Sequence, residues 1–327
     1  MHYRTLGKTG WKVSDISLGA WQLGGKWGNS FDEQLAERTL LEALDNGINF
    51  IDTADVYSAG LSERAVGKFV RSRSERIYVA TKCGRRLDPH TAAGYTAANI
   101  NRFVDESLQN TGLEVIDLLQ LHCPPTEVYE RADVFEALDR LREAGKILHY
   151  GVSVEKVAEA HRALAYPDLA TVQIIFNMVR HKPAETLFAA AQDRQVGIIV
   201  RVPLASGLLT GKFAPDTRFE EGDHRFFNQN GEAFDKGETF SGISYQTGME
   251  VVREFKRLFG EAYLTQSALR WILMHEAVSC VIPGASHPDQ VKWNAQASYT
   301  PALPAMAMDD VRQVYDKYVR QYVHHLW

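Results

Sequence analysis

Apolar residues along the chain follow two alternating periods. Short, nearly continuous apolar runs are separated by stretches in which apolar positions recur three and four residues apart, the signature of strands alternating with amphipathic helices. Residues 3–6 and 11–14, joined through Gly7 and Gly10, predict a hairpin. Residues 16–19 form the first buried run. Ser30, with Glu33 three positions on, predicts a capping box for a helix carrying Ala36, Leu40, Leu41 and Leu44 on one face, closed by Gly47. Residues 49–52 read as a strand, and Ser62 is placed to cap a helix bearing Ala65, Val66, Phe69 and Val70. The unit then recurs, with strands at 77–81, 116–121, 149–153, 171–176, 197–202 and 278–282. Between them lie the stripe Ile100, Phe103, Val104, Leu108, ending at Gly112, and the stripe Val134, Leu138, Leu141, ending at Gly145. Further helices are predicted near 156–164, from Pro183 to Gly197, and near 247–259 and 264–275. Residues 213–244, rich in Gly, Asp and Phe, interrupt the rhythm.

Eight such runs in β-α alternation predict parallel strands covered on both faces. An open doubly wound sheet and a closed barrel both satisfy that pattern. A dinucleotide-binding open sheet carries G-x-G-x-x-G after its first strand, and Gly19, Gly24 and Gly25 lack that spacing. The expected fold is therefore α/β, a (β/α)8 TIM barrel with an N-terminal β-hairpin, forming a single domain over residues 1–327. The 213–244 segment is then a long βα-loop insertion on the C-terminal face, and loops of that length are usually functional or disordered. A last stripe, Tyr315, Tyr318 and Tyr322, predicts a packed helix near the end of the chain.

Composition narrows the partners. With 45% hydrophobic and 24% charged residues the chain is neither disordered nor fibrous. Its 36 basic and 41 acidic residues leave a formal charge of −5, without the basic excess of a nucleic-acid binder. No apolar stretch is long enough for a membrane span, and no secretory signal is legible. Cys83, Cys123 and Cys280 form neither a disulfide framework nor a metal motif, so no metal is expected and the cytoplasm is the expected compartment.

In a barrel, chemistry gathers where strands end. Asp52, Lys82 and His122 end the second, third and fourth predicted strands, and Ser153, Gln173 and Arg201 end later ones. Tyr57 lies five residues beyond Asp52. Taken singly, Asp52 could cap a turn, Lys82 could be a solvated lysine and His122 could pack against Pro124 and Pro125. Together they suit one task. A tyrosine hydroxyl donates a proton to a carbonyl oxygen that is gaining charge. A nearby ammonium lowers its high pKa, a carboxylate holds the ammonium, and a histidine orients the carbonyl.

These residues lie in strings that resemble the aldo-keto reductase superfamily. The strings are Asn49-Phe-Ile-Asp-Thr-Ala-Asp-Val-Tyr57, Ala80-Thr-Lys82, Asp117-Leu-Leu-Gln-Leu-His122, Tyr150-Gly-Val-Ser153, Val202-Pro-Leu-Ala-Ser-Gly-Leu-Leu-Thr-Gly-Lys212 and Val281-Ile-Pro-Gly-Ala-Ser286. Within the superfamily, Lys82-Cys-Gly-Arg-Arg86 and the segment 222–234 resemble a bacterial group related to general-stress and inositol-cluster reductases. The resemblance implies a cytoplasmic NADP(H)-dependent reductase, with NAD(H) as the alternative cofactor, acting on a small-molecule carbonyl substrate. Tyr57 resembles the general acid, Lys82 and Asp52 the groups that tune it, and His122 the group that orients the carbonyl. A polyol or sugar dehydrogenase would share the same site. A cofactor-binding regulatory subunit, like the potassium-channel β subunits of this superfamily, would not need the full set.

The resemblance also implies cofactor positions. Ser153 and Gln173 would meet the nicotinamide carboxamide, with Ala20, Trp21 and Asp52 beside it. Pro203, Leu204, Gly207, Leu209 and Lys212 would run along the pyrophosphate, where backbone N–H groups suit negative charge. Gly284, Ser286, Gln290 and Asn294 would hold the adenosine end, with Ser286 as a helix cap. Arg225, Ser286 and Lys292 are candidates for a 2′-phosphate. Trp21, Tyr57 and His122 would line the substrate pocket, with Trp27 at its mouth. Two positions depart from the pattern. Arg201 stands where many relatives carry an aromatic residue, so it is expected to reach a phosphate or to bias the site toward reduced cofactor. Val154 follows Ser153 where Asn is common.

Overall fold

The computed structural model describes residues 1–25 and 30–327, so Trp27 lies outside the described residues. Strands β1 (Tyr3–Thr5) and β2 (Lys12–Ser14) form the antiparallel hairpin. Its Leu6 and Val13 are fully buried against Phe50, Ala80, Leu118, Ile199 and Cys280, one residue from each of five barrel strands. The hairpin thus stoppers one end of the barrel. Gly197 makes room for it: a Cβ there would stand 2.7 Å from Leu6 Cδ1.

The barrel strands are β3 (Leu18–Gly19), β4 (Phe50–Asp52), β5 (Tyr78–Cys83), β6 (Ile116–His122), β7 (Ile147–Ser153), β8 (Leu169–Ile175), β9 (Gly197–Arg201) and β10 (Val278–Val281). Each pairs in parallel with the next in chain order. Parallel bridges Ile16–Val281 and Gly19–Gly284 join the first strand region to the last. Ser17 N donates to Val281 O at 2.8 Å, and Val281 N to Asp15 O at 2.9 Å. These bonds close the ring and exclude the open doubly wound sheet. All seven residues of β6 are buried, as expected of a strand covered on both faces.

The surrounding helices are α1 (Glu33–Asp45), α2 (Leu61–Arg71), α3 (Ala97–Thr111), α4 (Ala132–Glu143), α5 (Val157–Ala163), α6 (Pro183–Asp193), α7 (His224–Phe227) inside the insertion, α8 (Tyr245–Phe259), α9 (Leu264–Leu273), α10 (Pro288–Ala295), α11 (Ala305–Tyr318) and α12 (Arg320–Val323). None is long and apolar enough to cross a membrane. Tyr315 on α11 is buried, but Tyr322 sits on the separate α12 and is exposed, so the tyrosine stripe does not form one face.

The local capping signals misplace several helix starts. Asp32 caps α1 in place of Ser30, its Oδ1 accepting from Leu35 N at 2.9 Å; Asp32 itself is extended, and its own N–H donates to Gly24 O at 2.8 Å. Gly60 precedes α2, and Ser62 lies in its first turn. The Ser62 hydroxyl bonds Thr53 Oγ1 at 2.8 Å and Ala20 O at 3.1 Å, tying the helix to two strand ends. His287, not Ser286, caps α10. Helix α6 stops at Asp193, since Gln195 takes φ 55° and offers its carbonyl to Lys8 N of the hairpin turn.

Candidate active site

The strand ends opposite the hairpin carry a buried polar cluster. Strand β4 ends at Asp52 and its neighbour β5 carries Lys82, both at most 2% exposed. Lys82 Nζ donates to Asp52 Oδ1 at 2.5 Å, to Thr53 O at 2.8 Å and to Tyr57 Oη at 3.1 Å. Its three protons therefore all have acceptors, which a buried ammonium requires. Asp52 Oδ2 accepts from Gln120 Nε2 at 3.0 Å and from Gln173 Nε2 at 2.8 Å. Ser153 Oγ completes the chain by donating to Gln173 Oε1 at 3.1 Å. Gly151 on β7 leaves room for Thr171 beside it, whose Oγ1 would collide with any Cβ there.

Tyr57 is set by strained backbone. Ser58 and Ala59 follow it at φ 48° and 53°, and Gly60 at 85°. Consecutive left-handed residues are uncommon outside functional turns. Behind the site, Glu63 on α2 is fully buried and accepts from Thr81 Oγ1 at 2.6 Å and from Asn110 Nδ2 at 2.8 Å, locking α2 to β5.

His122 ends β6 with its ring 6.0 Å from that of Tyr57 and nearly perpendicular to it. Burial, then the nearby Arg85, Lys82 and Arg201, hold His122 well below the ordinary histidine range, so it is neutral at pH 7. Its buried Nδ1 has no hydrogen-bond partner among the described residues. Burial draws the Lys82 pKa down, but Asp52 and Tyr57 outweigh it and raise the pKa overall. Burial raises the Tyr57 hydroxyl, and Lys82 opposes it without winning. The expectation of a depressed Tyr57 pKa is thus corrected: the ammonium offsets only part of the desolvation.

The residues expected along a cofactor are distributed around the same rim. Ala20 is buried and its carbonyl is taken by Ser62. The Trp21 ring lies 4.7 Å from that of His224, so the insertion reaches across to the first strand. After β9, Val202, Ala205, Ser206 and Gly207 all have positive φ. Pro203 has no N–H, and the Gly207 and Leu209 amides both close the turn on Leu204 O. These amides are therefore committed within the turn, contrary to the expectation that they face a phosphate. Leu209 is itself buried, whereas Lys212 is exposed. Ser286 N donates to Gln290 Oε1 at 2.7 Å at the start of α10, and the buried Asn294 reaches Gly284 O at 3.4 Å.

Both insertion-side arginines have carboxylate partners. Arg225 holds Asp223, with Nε–Oδ1 at 2.8 Å, and its guanidinium lies 4.7 Å over Phe219. Arg201 Nη1 donates to Glu238 Oε1 at 2.6 Å, and Nη2 to Glu155 Oε2 at 2.9 Å. An arginine so held is neutralised by two carboxylates, which weighs against the phosphate role expected for Arg201. Cys123 Sγ, Glu155 and Glu238 lie close enough to one another to hold a metal, but guanidinium groups already occupy both carboxylates.

Sequence reasoning missed Gln120, Glu63, Glu155 and Glu238. Gln120 was within reach: it stands two residues before His122 on one strand, hence on the same inward face. A buried glutamate on an amphipathic helix or in a loop leaves no comparable trace.

The Aldo/keto reductase family profile matches residues 15–316. The chain is 30% identical to aldo-keto reductase YhdN of Bacillus subtilis over 298 residues, covering 89% of this chain and 87% of that one. It is 28% identical to a probable voltage-gated potassium channel subunit beta of Arabidopsis thaliana, covering 96% of each chain. The glycerol dehydrogenase AKR11B4 from Gluconobacter oxydans superposes with a TM-score of 0.78 at 26% identity, covering 97% of this chain and 96% of that one.

Proposed function

Because the chain belongs to the aldo/keto reductase family, we propose that it reduces aldehydes or ketones to alcohols with NADPH, using Tyr57 as the proton donor. The observation that carries this reading is the Lys82 ammonium, bonded at once to Asp52, Thr53 O and Tyr57 Oη. The residues present fit the cofactor. Buried polar atoms at the barrel mouth, His122 Nδ1 among them, lack partners among the described residues, and exposed Lys212 and Gln290 with half-buried Ser286 suit an anionic ligand. Ser153 and Gln173 would meet the carboxamide. Leu204, Lys212, Ser286, Gln290 and Lys292 would flank the phosphates and adenosine.

NADPH, when bound, would supply the hydride that the carbonyl carbon accepts. The oxygen then gains negative charge and takes the Tyr57 proton. A raised pKa keeps Tyr57 protonated before the reaction, which a general acid requires. Lys82 stabilises the phenolate as it forms, and Asp52 fixes the ammonium. Neutral His122 donates a ring N–H to the carbonyl oxygen without competing as a proton source. Trp21, in contact with His224, would wall the pocket on the side of the insertion.

Similarity to a glycerol dehydrogenase favours a second reading, in which the same site runs in the oxidative direction on polyols. Similarity to a channel β subunit raises a regulatory alternative, but the complete proton-donor set argues for turnover. The test is NADPH oxidation with 4-nitrobenzaldehyde or methylglyoxal. The reductase reading predicts turnover with either aldehyde. Faster turnover of glycerol with NADP⁺ would favour the second reading, and cofactor binding without turnover the third.

A further inference from the structure

Four charged side chains from four separate segments meet at the barrel mouth, and the proton chemistry uses none of them. Arg201 ends β9, Glu155 follows β7, Arg85 follows β5, and Glu238 enters from the insertion. Arg201 bonds both glutamates, as described above. Arg85 Nη2 lies 3.1 Å from Glu155 and 3.8 Å from Glu238. Two positive and two negative groups thus cancel, and the buried Arg180 guanidinium behind them faces Glu155, Glu238 and Asp235. The cluster borders the site directly. Arg201 Nη2 donates to Val154 O at 3.1 Å and lies 3.6 Å from Cys123 Sγ, and these two residues follow Ser153 and His122 in the chain.

The turn that carries Glu238 is clamped from behind. Trp327 Nε1 donates to Asp235 Oδ1 at 3.1 Å, and the Arg180 guanidinium lies 4.0 Å over the indole. Gly237 and Gly242 press on the same ring, where a Cβ would come within 2.8 Å and 2.5 Å of it. Arg180 in turn holds the Glu155 carbonyl. Trp327 therefore fixes the position of Glu238 relative to Arg201.

A guanidinium without its counter-charge beside a partly desolvated pocket attracts anions strongly, because solvent screens it little. We propose that Glu238 is a specificity-determining residue: it keeps the mouth free of net charge, so the site takes uncharged carbonyl compounds and discriminates against carboxylate- and phosphate-bearing ones. This rests on the reductase reading and names the substrate class of that same site. Trp327 acts through Glu238 as a positioning residue.

The test compares 4-nitrobenzaldehyde with 4-carboxybenzaldehyde at pH 8, as a ratio of kcat/KM that cancels any difference in active fraction. In the unmodified protein the ratio is expected to favour the nitro compound by about tenfold or more. Glu238→Gln should narrow it by about tenfold, through a lower KM for the carboxylate. Glu238→Asp should retain most of it, and Trp327→Leu should narrow it by less. An unchanged ratio in Glu238→Gln, or an unmodified protein that prefers the carboxylate, overturns the proposal. Absence of turnover on both aldehydes would instead count against the reductase reading. Calorimetric binding of benzoate against benzamide then decides the charge inference alone. A roughly tenfold gain for benzoate in Glu238→Gln supports it, and no gain overturns it.

Discussion

The centre of the barrel and its mouth both hold buried charge, but they hold it differently. At the centre, Lys82 and Asp52 sit on adjacent strands, and each of their donors and acceptors is met by backbone, Gln120, Gln173 or Tyr57. At the mouth, Arg201 is balanced by Glu155 and Glu238, which come from two loops far apart in sequence, and one of those loops depends on Trp327 for its place. The centre is scaffolded by strand register and the mouth by tertiary contact. Perturbation at the centre should therefore abolish chemistry, whereas perturbation at the mouth should alter selectivity and stability.

The sharpest way to break this contrast is Lys82→Met. It leaves Asp52 charged and buried without its partner, at a cost of about 3–5 kcal/mol of stability. It also removes the group that stabilises the Tyr57 phenolate, so kcat should fall by about a thousandfold or more. Steady-state kinetics and urea unfolding check the two effects.

Asp55 sharpens the comparison from within the same loop. Both its oxygens are buried without a hydrogen bond of good geometry among the described residues, and burial, with Glu63 adding to it, pushes its pKa up to about 7 while Arg86 and the Val56 backbone oppose. The folded protein therefore binds this proton more tightly than the unfolded chain. The stability Asp55 contributes is full below about pH 4 and is lost as pH rises toward 7. Asp55→Asn should flatten that decline and stabilise the protein at pH 8 by up to about 4 kcal/mol, read from urea unfolding at pH 5 and pH 8.

At the mouth, Trp327→Ala should cost about 3 kcal/mol, from loss of a buried aromatic side chain. It should also speed proteolytic cleavage within residues 213–244, while a Tyr57 substitution should not. The smallest effect is expected at exposed Lys212. Lys212→Gln should raise the KM for NADPH about fivefold at low salt, and the difference should shrink as ionic strength rises.

This division also explains what the sequence revealed. Strand ends carry fixed inward positions, so Asp52, Lys82, His122, Ser153 and Gln173 could be picked out by counting along apolar runs, and the barrel followed from eight such runs. Gln120 obeys the same alternation and was legible by the same rule. Glu238 was not, because the insertion has no period and its register is set by an indole from the far end of the chain. Helix starts failed for a related reason. Ser30, Ser62 and Ser286 are good caps by residue type, yet Asp32 caps α1, Ser62 spends its hydroxyl on Thr53 and Ala20, and Ser286 is bonded to Gln290 while His287 caps α10. The ion pairs of Arg201 left no trace, because its two glutamate partners are distant in sequence.

The measurement that bears most directly on the account is the single-turnover rate of Tyr57→Phe with NADPH and 4-nitrobenzaldehyde. The variant keeps the ring against His122 and removes only the hydroxyl bonded to Lys82. A fall of about a thousandfold or more, with NADPH affinity within about threefold of the unmodified protein, is the predicted result. A rate equal to that of the unmodified protein would contradict the assignment of Tyr57 as proton donor.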